Sequence, residues 1–406
     1  AAAAAGRRLP AELVPALLDA GRRHGRLRPF VVPVAGPLAG WLAAQRADWS
    51  YALSTPVPVE STVDEAVGEA SVWELGSIGP RVAYLSRVRR RDPALGRTLV
   101  DTAWEAESPE DRVALLNALG HNLSTDDEPL LERALDDRRR QVREVALDLL
   151  GRLPGSAYAA RMATRATACV DLGGTRRIGI TPPAGCDRSM RRDGIAARPP
   201  AGTGERAWWL EEILARTPLR IWPEPPAFLS RGVSEEWLVT VRRGLARAAA
   251  IQRDGGWAAA LVDGLTADVA EHGHPADRLL LEALYDALPA EELATRAAGA
   301  LRRGLGGATA VGVEHVLALC PRPWPPAVAE AVLGALQEQL GRRGADWRVA
   351  GLCELAALRL PADLAPHAVA LVERLRAVRP NDPGLAVVER FAATLRFRHR
   401  MLEELT

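Results

Sequence analysis

Residues 92–153 read DPALGRTLVDTAWEAESPEDRVALLNALGHNLSTDDEPLLERALDDRRRQVREVALDLLGRL, and this stretch decides the fold. Helix-start signals and helical periodicity alternate along it at short intervals. Asp92-Pro93 opens one helix. Ser108-Pro109-Glu110-Asp111 opens the next, with a capping hydroxyl, a proline at the tolerated first position and two acids on the positive end of the helix dipole. Asp126-Asp127-Glu128-Pro129 opens a third. Asp137 is expected to cap a fourth, whose apolar positions Val142, Val145, Ala146, Leu149, Leu150 and Leu153 keep the i, i+3, i+4, i+7, i+8 spacing of a one-faced helix. Four helices joined by short turns are two hairpins in tandem, which predicts an all-α chain.

The step from Asp92 to Asp126 falls within the thirty-odd to forty-odd residues of a helical solenoid unit. Asp137 followed by Val142-Arg143, Ala146 and Leu150 resembles the second helix of a HEAT repeat, a family in which turn aspartates and helix arginines of neighbouring repeats stack into a ladder. The expected architecture is therefore a HEAT-like α-solenoid of tandem helical hairpins with one long irregular insertion.

Working outward, helices are expected near 11–24, 63–76, 80–91, 156–169, 205–216, 234–252, 256–271 and 275–287. Others should run near 289–303, 308–319, 325–341, 346–358, 362–378 and 384–404. Pro/Gly-rich breaks at 55–59, 173–204 and 222–232 interrupt them. The division this suggests is an N-terminal helical segment over 1–60, repeats over 61–170, the insertion over 171–204 and further helical repeats over 205–406. Because the chain opens on Ala1, the first segment is expected to be shortened.

Composition narrows the chemistry. The 52 basic residues are all arginine and nearly balance 51 acids, for a net charge of +1, so no global field draws a polyanion or an anionic membrane. The absence of lysine removes P-loop phosphate binding, Ser-x-x-Lys nucleophiles and Schiff-base catalysis. Cys169, Cys186, Cys320 and Cys353 lie far apart with no Cys-x-x-Cys pair, which argues against a structural zinc site and fits a reducing cytoplasm. The longest apolar run, Phe30 to Ala44, is broken by Pro33, Gly36, Pro37 and Gly40 and is too short for a membrane span.

Several stretches resemble a bacterial family known as domain of unknown function 5691. They include Gly36-Pro37-Leu38-Ala39-Gly40-Trp41 with Asp48-Trp49, Asp127-Glu128-Pro129-Leu130, and Arg152-Leu153-Pro154-Gly155-Ser156 with Arg161-Met162. Asp187-Arg188-Ser189-Met190-Arg191-Arg192-Asp193-Gly194-Ile195 and Gly204-Glu205-Arg206-Ala207-Trp208-Trp209 continue the match, which covers most of the chain and is strongest from about 36 to 222. The resemblance implies a HEAT-like helical protein with no assigned activity. It also implies an adaptor in an ATPase-linked assembly, since such proteins are encoded beside a MoxR-type AAA ATPase, a von Willebrand A-domain protein and a SWIM zinc-finger protein.

Candidate catalytic constellations are thin. Val170-Asp171-Leu172-Gly173-Gly174-Thr175 resembles the phosphate turn of sugar kinases, but it follows a helix and lacks the other nucleotide motifs of that class. His272-Gly273-His274 has no third ligand nearby. Acidic pairs such as Glu211-Glu212, Glu235-Glu236 and Glu291-Glu292 read as first-turn or exposed-face residues. Arg87 with Arg89-Arg90-Arg91, and Arg138-Arg139-Arg140, sit at helix ends where phosphate contacts would lie. Single tryptophans at 104, 237, 257 and 347 read as anchors between helices.

The insertion is the strongest candidate for a site, because long loops in compact proteins are functional or disordered and this one carries the apolar anchors Ile178, Ile180, Met190 and Ile195. Arg176, Arg177, Asp187, Arg188, Arg191, Arg192 and Asp193, with Trp208 and Trp209 beside them, are the expected partner-binding residues, guanidinium groups next to aromatic surface. No cofactor or metal is expected. The function this favours is a non-catalytic scaffold or adaptor for other proteins; a HEAT-like nucleic-acid-binding protein and an enzyme with its site in 171–204 are the alternatives.

Overall fold

A computed structural model describes residues 9–52, 72–174, 177–272, 275–302, 312–342 and 347–405. Among them the chain is helical nearly throughout, and the single sheet is a hairpin in which Val170–Asp171 pairs antiparallel with Gly179–Ile180. None of the described helices is long and apolar enough to cross a membrane.

At Asp92 and Ser108 the helix starts are made by the residues that announced them. Asp92 Oδ1 accepts from Leu95 N at 2.9 Å to open Pro93–Ala103, Ser108 Oγ accepts from Asp111 N at 3.1 Å to open Pro109–Leu119, and Ser156 caps Ala157–Cys169. Ser124 and Asp127 form a reciprocal capping box over the turn Thr125–Asp127 that leads into Glu128–Ala134. Asp137 departs from expectation. The fourth helix is Arg140–Gly151, with Arg139 at its cap position, and the Asp137 carboxylate instead accepts from Arg139 N at 2.8 Å and from Arg112 Nη1 of the preceding hairpin at 2.8 Å. Arg143 binds the carbonyls of Asp137 and Arg138, within its own turn.

Contacts divide the chain into Ala1–Arg87 with Arg396–Thr406, and Val88–Leu395. The insertion is bonded to the helices on both sides of it. In the first unit, helices Val14–Arg23, Arg28–Ala35 and Pro37–Gln45 enclose a core of Val14, Leu18, Val31, Val32, Ala35, Ala39 and Trp49. Trp49 Nε1 donates to Asp19 Oδ1 at 3.0 Å, and Tyr51 OH to Leu18 O at 2.8 Å. The second and third of these helices were not expected from sequence, since Pro33, Gly36 and Pro37 read as breakers. Gly36 does break the chain, at φ 66°, but Pro37 then opens a new helix at the position where a missing N–H costs nothing. The helix expected over 63–76 falls mainly outside the described residues.

In the second unit the expected helices appear with shifts of a few residues, and Glu205–Arg216 and Pro275–Ala287 appear as read. Helices Glu205–Arg216 and Glu235–Gln252 approach closely enough that a Cβ on Gly244 would lie 2.7 Å from Leu214 Cβ. Trp222 meets Phe228 at a tilt and Phe228 meets Trp257 edge to face, with ring centroids 5.6 and 5.5 Å apart. Trp104 and Trp257 are buried as anchors and Trp237 is half-buried; the Trp347 side chain lies outside the description.

Candidate partner-binding insertion

The insertion is held by charge as well as by apolar contact. Ile178, Met190 and Ile195 are buried. The backbone is pinned at Thr181 N to Cys169 O at 2.8 Å and at Ile178 N to Gly232 O at 3.0 Å, and Arg231 Nη1 donates to Leu172 O at 2.9 Å. These bonds tie the segment to the end of the helix before it and to the loop after Pro225–Leu229.

Its centre is a short helix, Arg188–Arg192, capped by Asp187, whose carboxylate accepts from Met190 N at 2.7 Å and from Ser189 Oγ at 2.8 Å. Those hydrogen bonds hold the Asp187 carboxyl below its ordinary range. Directly after it, Asp193 is 1% exposed. It accepts from Arg161 Nε and Nη2 at 3.0 and 2.7 Å and from Arg165 Nη1 at 2.7 Å, a two-pronged charge-assisted latch onto helix Ala157–Cys169. Tyr158 OH reaches Asp193 O at 3.2 Å, and burial pushes that phenol well above its usual pKa. Arg216 Nη2 donates to Gly194 O at 3.3 Å. Arg192 forks onto Asp136, 2.8 Å to each oxygen, and reaches Glu132 Oε2 at 3.0 Å. Arg192 keeps the Asp136 carboxyl below the usual range, so this clamp is complete at neutral pH. It is lost only as pH falls below that range through the lowered folded value.

The structure therefore separates the expected site residues. Arg192 and Asp193 are internal fasteners, and Asp187 is a cap. Trp209 is buried, with Nε1 donating to Ala197 O at 3.2 Å; Trp208 is half-buried, with Nε1 on Ala196 O at 3.1 Å and Arg247 over its ring at 6.0 Å. Arg188, Arg191 and Arg177 remain exposed. Arg191 Nε donates to Asp187 O, in its own helix start, at 3.3 Å, and the Arg177 backbone bridges Gly232. Arg176 lies outside the described residues. The residues that the sequence did not mark as part of the site are Arg161, Arg165, Glu132, Asp136 and Gly194. Arg161 and Arg165 stand one helical turn apart, but nothing local announces a carboxylate some thirty residues later.

Gly194 carries a prediction. Its φ is +86°, and a Cβ there would overlap the Leu147 side chain. Gly194→Ala should cost about 1–3 kcal/mol from backbone strain and crowding, measured as a fall in urea midpoint. Adding Leu147→Ala should recover the crowding part alone; full tolerance of Gly194→Ala by itself would contradict the turn geometry.

Other candidate chemistry resolves into structure. Asp171 Oδ1 accepts from Gly173 N at 2.8 Å, so the aspartate of the kinase-like turn closes its own loop; Thr175 is not among the described residues. Among the described residues no cluster of three or more His, Cys, Asp or Glu is placed to hold a metal; Gly273 and His274 fall outside them. Glu211 and Glu212 are neither first-turn nor exposed: both are buried mid-helix. Arg247 reaches them at 2.9 and 2.5 Å, and Arg216 reaches Glu212 at 2.6 Å. Buried charges need such partners, which explains the arginines facing them. Arg89, read as a surface cation, is fully buried against Asp127, whereas Arg138, Arg139 and Arg140 are exposed as expected.

No curated protein and no solved structure matches the chain. A family model described as a family of unknown function, DUF5691, matches residues 1–405. The match takes in the helices of both units as well as the latched insertion, and the chain belongs to that family.

Proposed function

We propose that the chain is a non-catalytic, HEAT-like helical-repeat scaffold that binds other proteins, with the 171–204 insertion as its docking element. One observation carries the reading: the short helix Arg188–Arg192, capped by Asp187, is held by buried Met190 and by the ion pairs of Arg192 and Asp193, yet it holds Arg188 and Arg191 out to solvent. Guanidinium groups on a rigid backbone lose little freedom on binding, which is what a recognition surface needs. The partners suggested by the family resemblance are a MoxR-type AAA ATPase, a von Willebrand A-domain protein and a SWIM zinc-finger protein, which would place the chain in an ATPase-linked assembly. Free thiols at Cys169, Cys186, Cys320 and Cys353 fit a reducing cytoplasm.

The test is capture from extract of the native host, with the full chain as bait and bound proteins identified by mass spectrometry. The wild type should retain at least one of those three proteins. Arg188→Glu with Arg191→Glu should reduce its retention by about tenfold or more while the melting temperature moves little. Equal retention by both baits would remove the insertion as the docking element. Salt-sensitive recovery of nucleic acid in place of protein would replace the reading with the nucleic-acid one.

A further inference from the structure

The last helix, Leu385–Leu405, changes character along its length. Val388, Phe391, Ala392 and Leu395 repeat at helical spacing and are buried. From Arg396 to Glu404 no residue is buried, and Phe397 has 68% of its surface exposed. In a chain whose charges nearly cancel, residues 390–402 hold four arginines and a histidine and no carboxylate. Arg396 and Arg400 are exposed and one turn apart, and Arg400 neighbours Phe397 at i,i+3, so the three share one side of the helix. Neither side chain has a partner among the described residues. Arg398 faces elsewhere and is half-buried, and His399 lies 3.4 Å from Glu403.

An exposed phenylalanine beside two guanidinium groups that have no partner among the described residues has the composition of an interface hot spot.

We propose that Arg396, Phe397 and Arg400 form a docking surface for an amphipathic helix of a partner protein whose apolar stripe is flanked by carboxylates. The ring packs on that stripe and gains most of the binding free energy, since it is the most exposed large apolar group on this face, Met401 one turn on being half-buried. The two guanidinium groups fork onto the flanking carboxylates and set orientation. Two arginines on a convex face suit a nucleic acid poorly, because tight non-specific binding draws on about 6–10 phosphate contacts. The surface lies on a different element from the insertion and stands or falls independently of it.

The test uses the full chain and a fluorescein-labelled amphipathic helical peptide of Leu and Glu, read by anisotropy at low salt. The same peptide with Gln for Glu, an oligothymidylate and phosphatidylserine vesicles complete the set. The Leu/Glu peptide should bind. Phe397→Ala, and Arg396→Glu with Arg400→Glu, should each weaken it by about tenfold or more without changing the melting curve, and the Gln peptide should bind at least as weakly as those variants. Arg188→Glu with Arg191→Glu should have no effect on it. The proposal is overturned if the Leu/Glu peptide does not bind or binds all variants equally. It is equally overturned if the three substitutions abolish binding of the oligonucleotide or the vesicles and not of the peptide.

Discussion

Asp127→Asn should be among the most damaging single substitutions in the chain, lowering stability by about 3–5 kcal/mol, the usual cost of stripping one partner from a buried ion pair. Arg89 and Asp127 are both fully buried, with Arg89 Nη2 2.7 Å from Asp127 Oδ2 and Nη1 3.0 Å from Oδ1. The rest of the guanidinium is consumed by backbone: Nε donates to His121 O at 3.0 Å, Nη1 to Pro93 O at 2.6 Å, and Nη2 to Leu119 O and Asn122 O at 3.0 and 3.1 Å. Arg89 thus terminates helix Pro109–Leu119 by binding its last carbonyls, and Asp127 supplies the counter-charge from the start of the next helix.

An apolar swap would not rescue this pair as it does some others. Arg89→Met with Asp127→Leu would leave the buried Leu119 carbonyl and the part-buried carbonyls of Pro93, His121 and Asn122 without this donor, at about 1–3 kcal/mol each for those that water cannot reach. The double variant should therefore be no more stable than Asp127→Asn. Arg97, 25% exposed and 3.3 Å from Asp127 Oδ1, should cost about 1 kcal/mol or less when changed to Ala. Urea denaturation of the four proteins checks the order, and an Asp127→Asn midpoint close to wild type would contradict it.

What was legible in the sequence follows the range of the interaction. Helix starts at Asp92 and Ser108 were readable because the capping side chain and the amide it accepts from lie within one turn. The all-α class followed from those starts and from the periodicity of Val142, Ala146, Leu149 and Leu150, all buried. Helices Arg28–Ala35 and Pro37–Gln45 were missed because a proline that opens a helix looks, in sequence, like one that ends it. Glu211 and Glu212 were misread because, beside Arg216 on their own helix, the groups that neutralise them, Arg243 and Arg247, lie on another helix.

In the insertion, order could be read from Ile178, Met190 and Ile195, whose burial needed only that the segment fold back. The roles of its arginines could not. Arg188, Arg191 and Arg192 are alike in local sequence, and only the direction in which the short helix faces decides that Arg192 meets Glu132 and Asp136 while its neighbours meet water. Arg89 misled for the same reason, since its acceptors come from a turn thirty residues later.

Asp193→Asn should release the insertion, at a cost of about 2–4 kcal/mol, because it keeps the shape of the latch while leaving Arg161 and Arg165 without their shared carboxylate. Arg161 keeps Glu132 at 2.9 Å and Arg192 keeps Asp136, which is why the expected loss stays below that at Asp127. Limited proteolysis should cut the variant first within 181–204, where the wild type resists. Arg192→Ala should loosen the same segment less, since its carboxylate partners are half-buried or exposed.

The claim beneath the proposed function is that 177–204 is a fixed platform, and native-state hydrogen exchange tests it most directly. In the free wild-type chain the amides of Ile178, Thr181, Met190, Asp193 and Ile195 should exchange as slowly as those in the adjoining helices Ala157–Cys169 and Glu205–Arg216, since each is bonded to a backbone or carboxylate oxygen. In Asp193→Asn that protection should collapse across the segment while the two helices keep theirs. Fast exchange through 177–204 in the wild type would contradict the account, because guanidinium groups on a mobile loop have no preset geometry to offer a partner.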